Sequence, residues 1–169
     1  MPASFYHPKN ASLLLLLAAL AILATVFASE HLGGLEPCQM CVWQRWPFAV
    51  LALVGLIGAL WRPKMMLTLA FLTLLVSIGL AGYHVAVEQG WLALPSGCAV
   101  GTDASSVEEL KAMLKAARPT CDQVSFTFLG LSFAGWNVVG SIILALFTLI
   151  VLLTDRATST SMAVARPHR

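Results

Sequence analysis

The chain has 169 residues, of which 59% are hydrophobic and only 11% charged. An ordinary soluble domain carries about 25% charged residues. The formal charge is only +2 and the basic residues are scattered, so the chain has no footprint for nucleic acid and reads instead as a multi-span membrane protein.

The first apolar block, Ala11–Ser29, is uncharged and long enough for one spanning helix of about 20 residues. It reads as a span rather than a cleaved signal peptide. It is long for a signal core, and an even number of spans accounts better for the loop charges. A short loop from Glu30 to Cys41 follows, with Gly33-Gly34 as a flexible turn and Pro37 suited to a helix start. The loop ends in Cys38-Gln39-Met40-Cys41. Two cysteines at this spacing form a compact redox unit whose sulfurs can close a reducible disulfide.

The apolar stretch from Pro47 to Trp61 would be only about 22 Å long as a helix, too short for a hydrocarbon core of about 30 Å. The second span is therefore expected over 42–61, with Arg45 one turn inside and Cys41 at the N-terminal edge. A thiol there would feel the positive end of the helix and a cation four residues on, both favouring thiolate. Pro47 is expected to kink this helix or end an interfacial turn before it.

Arg62 and Lys64 mark a tight turn, and Met65–Tyr83 forms the third span. The long second loop, residues 84–135, holds Cys98 and Cys121. Between them Ser106-Val107-Glu108-Glu109 is a capping-box start. Val107, Leu110, Met113, Leu114 and Ala117 then share one helical face, which predicts a short interfacial helix ended by Arg118-Pro119. Phe126–Ala134 is apolar but too short to cross, and leads into a fourth span over 136–154. Residues 155–169 read as a disordered basic tail. The fold class is thus an all-α membrane protein: one domain, 1–169, a bundle of four transmembrane helices with two external loops.

Four spans put both termini on one side, with Lys9, Arg62, Lys64, Arg156, Arg166 and Arg169. The other side has Arg45, Lys111, Lys115 and Arg118, mostly far from span ends. By the positive-inside rule the termini are cytoplasmic. All four cysteines then face an oxidising compartment, where three disulfide connectivities are open.

Each feature also has a plainer explanation. Cys98 and Cys121 could be a structural staple. The Cys-x-x-Cys pair has metal-ligand spacing, with His31 or His84 able to complete a zinc set. No metal is expected, because the second pair lacks matching spacing and the compartment oxidises thiols. Arg45 could be an interfacial anchor, and His84 an interfacial polar residue. Trp43, Trp46, Trp91 and Trp136 read as an aromatic belt. The two cysteine pairs and the arginine together are far more specific than any part.

Pro37 through Arg45, with the pattern C-x-x-C-x-x-Q-R, resembles the disulfide bond formation protein B (DsbB) family of bacterial inner membranes. Gly82-Tyr83-His84 with Glu88, and Leu129-Gly130-Leu131-Ser132 running to Trp136-Asn137, are also similar to that family. The resemblance implies a thiol:quinone oxidoreductase. Such an enzyme reoxidises a periplasmic DsbA-like thioredoxin-fold oxidase and passes two electrons to ubiquinone or menaquinone in the bilayer. It implies that Cys98 is attacked by the reduced partner and that Cys121 is released to attack Cys38. Cys41 is then freed to reduce the quinone, with Arg45 holding the ring. His84 is a weaker candidate for the quinone pocket. Two rivals remain at this point. One is a non-enzymatic four-span scaffold with loop disulfides. The other is a vitamin K epoxide reductase-like enzyme, in which the C-x-x-C is expected near the end of a late span.

Overall fold

The computed structural model describes residues 7–98, 106–108, 111, 119–124 and 126–164. Four helices in it are long and apolar enough to cross a membrane. They are α1 (Pro8–His31), a broken pair α2 (Gln39–Trp43) and α3 (Arg45–Leu60), α4 (Pro63–Glu88) and α5 (Phe133–Val164). At 1.5 Å per residue the 24 residues of α1 reach about 36 Å, enough to span.

Local chemistry sets most of the ends. Pro8 and Pro63 sit in the first turns of α1 and α4, where a missing N–H costs nothing. α4 stops before Gly90, whose φ of 71° takes the left-handed conformation that closes helices. Ser132 caps α5, its hydroxyl accepting from the Gly135 N–H at 3.1 Å. The break between α2 and α3 falls at Gln44. A continuous helix would need an N–H at Pro47 to bond the Trp43 carbonyl, and proline has none. The interfacial turn before Pro47 is therefore α2.

The bundle core runs along one face of each helix. Ala11, Leu15 and Ala19 of α1 meet Phe48, Leu51 and Val54 of α3, Leu67, Ala70 and Leu74 of α4, and Ala145 and Val151 of α5. The closest approach is between α1 and α3. A Cβ built on Gly55 would stand 2.9 Å from backbone atoms of Ser12 and Leu16, and one on Gly58 only 2.6 Å from the Ser12 hydroxyl. Small residues let these helices touch, and such packing drives association where lipid removes the hydrophobic gain. Large apolar side chains such as Leu17, Leu53, Val76 and Leu146 point outward, as lipid contact requires.

Two segments differ from expectation. Phe126–Ala134 holds a hairpin, Thr127–Phe128 (β1) paired antiparallel with Leu131–Ser132 (β2). Its turn residues Leu129 and Gly130 both have positive φ, the geometry that matches strand twist in a two-residue loop. The Trp136 indole donates back to the Phe128 carbonyl at 2.9 Å. The stretch read as a disordered tail from 155 is helical to Val164. Once nucleated, a helix lengthens at little cost per residue, and Asp155 is pinned by Lys64 at 2.7 Å. The interfacial helix expected after Ser106 lies largely outside the described residues.

Candidate functional site

One end of the bundle gathers all four cysteines. Cys98 and Cys121 form a disulfide, with Cα atoms 5.4 Å apart. That settles which of the three connectivities this structure holds. Cys38 and Cys41 are free, with sulfurs 2.7 Å apart. Cys38, Met40, Val87, Cys98 and Cys121 make one buried cluster, with Cys41 and Leu94 packed against it. Loops far apart in sequence thus place the two pairs side by side.

Cys38 is the N-cap of α2, and its sulfur accepts from the Cys41 N–H at 3.1 Å. The sequence reading placed the favoured thiolate on Cys41. In the reduced pair the helix terminus instead serves Cys38, because the cap residue meets the orphan N–H groups. The Cys38 thiol is held down to about 4 from its usual 9.0. The Cys41 thiol beside it is the main cause. Burial opposes the shift, and His84 and the Cys41 amide add to it. A depressed thiol is ionised above its pKa and protonated below, so the reduced protein is expected to keep a Cys38 thiolate down to about pH 4. Titrating the ultraviolet thiolate absorption of the reduced protein, with Cys38→Ser as the blank, checks this. A midpoint near the usual 9.0 would show an unactivated thiol.

Arg45 does find a partner. Its guanidinium grips the Glu30 carboxylate with both terminal nitrogens, Nη1 at 3.1 Å from Oε2 and Nη2 on Oε1. The Phe27 ring lies 5.2 Å below. A cation in a span is costly alone, and this bidentate pair explains how the helix carries it. From the sequence alone Glu30 is a residue of the first external loop. Its position at the end of an otherwise uncharged block was the available signal.

His84 is 2% exposed. Its Nε2 lies 3.6 Å from the Cys38 sulfur and 3.2 Å from the Cys121 carbonyl oxygen, so one ring touches both pairs. Gln44 and Asn137, which sequence reasoning also missed as site residues, continue from it. The Gln44 side-chain amide meets His84 Nδ1 at 2.6 Å, and Asn137 Nδ2 donates to Gln44 Oε1 at 2.6 Å. Polar residues inside apolar blocks were the signal for both.

The zinc alternative also has a geometric form. Cys38, Cys41 and His84 donor atoms lie within 4.8 Å of one another. A structural zinc takes four ligands, and no fourth His, Cys, Asp or Glu joins this group among the described residues. His31 stays outside it, stacked on Phe27.

Beside the cysteines opens a cavity of about 550 Å³, between α1, α3 and α5. Its walls are mainly apolar: Ile22 and Val26 of α1, Phe48, and Phe126, Phe128 and Trp136 from the hairpin region. Cys41, Arg45, Glu30, Gln44, His84 and Asn137 are among its polar lining residues. This size and balance suit a small organic ring with few polar atoms.

Four membrane helices with two adjoining cysteine pairs at one end define a narrow class, and comparison with known proteins agrees. A family model described as "Disulfide bond formation protein DsbB" matches residues 8–151. Proteins named disulfide bond formation protein B are similar along most of their length. That of Aromatoleum aromaticum is 32% identical over 135 residues, 75% of this chain and 81% of its own. That of Xanthomonas campestris pv. campestris is 36% identical over 146 residues, 79% and 83%. That of Marinobacter nauticus is 35% identical over 150 residues, 83% and 89%. The chain belongs to the DsbB family of disulfide bond formation proteins.

Proposed function

We propose that this protein is a thiol:quinone oxidoreductase of the bacterial inner membrane, with its termini in the cytoplasm and its cysteines in the periplasm. It reoxidises a DsbA-like dithiol protein and passes the electrons to ubiquinone or menaquinone. The observation that carries this is the packing of Cys121 and Cys38 in one buried cluster, with Cys41 on the wall of a mainly apolar cavity.

The exchange balances at each step. A thiolate of the reduced partner attacks Cys98 and the Cys98–Cys121 bond breaks, leaving the electron pair on Cys121. Cys121 attacks Cys38. A Cys38–Cys121 bond forms, the Cys38–Cys41 bond breaks, and the pair moves to Cys41. Burial keeps water from these thiolates and fixes their order of approach. Cys41 then holds the charge at the cavity wall, where the Arg45–Glu30 pair supplies fixed charges.

The residues present fit a quinone. Apolar and aromatic walls suit its ring and tail, and Arg45, Gln44 and Asn137 carry N–H groups suited to its carbonyl oxygens. A bound quinone would accept two electrons and two protons. DsbA is so strong an oxidant that reoxidising it is uphill for an ordinary disulfide; a quinone would be a stronger acceptor, and one that is met at the bilayer.

The test is to extract lipid from the purified protein and to assay it anaerobically with reduced DsbA-like protein and added quinone. About one quinone per chain and catalytic oxidation of the dithiol are expected. A stable protein with neither would leave the scaffold reading in place.

A further inference from the structure

Three atoms face His84 Nε2: the Cys121 carbonyl oxygen, which can only accept, at 3.2 Å, Cys38 Sγ at 3.6 Å and Glu88 Oε1 at 3.8 Å. A carbonyl cannot donate, so Nε2 must carry a proton. On the other side of the ring the Gln44 amide nitrogen lies 2.6 Å from Nδ1, which makes Nδ1 the acceptor. Gln44 is held in that sense because its Oε1 accepts from Asn137 Nδ2 at 2.6 Å. Asn137 Oδ1 lies 3.3 and 3.0 Å from the Ser77 and Ser141 hydroxyls, which also lie 3.0 Å from each other. Gln44 is 8% exposed, Ser77 1% and Ser141 not at all, so the network is shielded from competing water. The chain of hydrogen bonds runs unbroken from the α4–α5 contact to the cysteines.

We infer that Gln44 and Asn137 are positioning residues that hold His84 as the neutral Nε2–H tautomer, so that its single ring proton stands between Cys38 and Cys121. These are the two cysteines that bond during inter-pair exchange, so the inference rests on the relay proposed above. The N–H anchors the Cys121 backbone beside Cys38 for the forward attack. It acts again on the return. After the partner leaves oxidised, the Cys98 thiolate attacks Cys121, the Cys98–Cys121 bond re-forms, and the electron pair departs on Cys38. The Nε2–H meets that charge, and the proton stays on the ring throughout.

Nitrogen NMR of protein labelled with 15N-histidine reads the tautomer directly, with His84→Gln to assign the signal. A bare Nδ1 and a protonated Nε2 are expected in the oxidised wild type. In Gln44→Met and Asn137→Leu the ring should become a mixture of tautomers. Two activities are then compared: quinone reduction driven by the DsbA-like dithiol, which needs inter-pair exchange, and by dithiothreitol, which can reduce Cys38–Cys41 directly. The ratio of the first to the second should fall roughly tenfold in both variants, about the worth of one hydrogen bond. A protonated Nδ1 in the wild type, or an unchanged ratio in both variants, overturns the inference. If the variants fail to fold, the wild-type spectrum still decides. If wild type reduces quinone with neither dithiol, the proposed function fails, and the spectrum reports the tautomer independently.

Discussion

Cys98→Ser is expected to stop oxidation of the DsbA-like protein, a loss of roughly 10³-fold or more, as for residues that act as a unit. Cys98 is bonded to Cys121, and without that bond the partner loses the disulfide through which the relay begins. Dithiothreitol-driven quinone reduction should survive in this variant, because Cys38 and Cys41 remain. Cys38→Ser and Cys41→Ser should abolish both activities, and Cys121→Ser should behave as Cys98→Ser does. Steady-state quinone reduction with each donor makes the comparison. A scaffold would respond differently. Loss of the Cys98–Cys121 bond would then cost about 2–4 kcal/mol of stability and change no redox rate. Full turnover of the protein dithiol by Cys98→Ser would sink the relay.

Arg45→Met should raise the apparent quinone KM by roughly ten- to hundredfold, the range of a lost charge-assisted hydrogen bond. It should also cost stability. Arg45 and Glu30 side chains are only 16% and 15% exposed, and breaking a buried pair costs about 3–5 kcal/mol because one charge is left alone. The two effects can be separated. Arg45→Met with Glu30→Leu removes both charges, so stability should return while the quinone KM stays high. Arg45→Lys keeps the charge but not the planar fork, and should fall between. Thermal unfolding in detergent and quinone titration of the three variants give the answer. Wild-type quinone kinetics in Arg45→Met would reduce the arginine to an anchor for α1.

The four spans were legible because lipid imposes one rule on every residue of a crossing helix. Blocks such as 65–83 and 136–154 fall within α4 and α5, whose ends run further because flanking residues such as Asp155 are tied down. The Cys-x-x-Cys pair was legible because its spacing is local. The hairpin at 127–132 was not. Its two-residue strands are too short to show alternation, and a Leu-Gly turn is a weak signal beside Asn-Gly. Arg45 was visible as a charge out of place, yet Glu30, 15 residues upstream, could be named as its partner only from coordinates.

By itself the sequence determined what depends on local order or on composition. That includes the number of spans, the bias of positive charge, the two cysteine pairs and the proline that interrupts the second span. Only the tertiary structure decided what depends on meeting across the chain. Helix packing brought Cys121 against Cys38, set His84 between them 46 residues from one and 37 from the other, and aligned Gln44 with Asn137. It also moved the favoured thiolate in the reduced pair from Cys41 to Cys38. The sequence predicted a helix terminus near the motif, but a one-turn difference in where α2 starts decides which sulfur receives the N–H. Hydrogen bonds are read over a few ångströms, and only a folded chain specifies distances that short between residues so far apart.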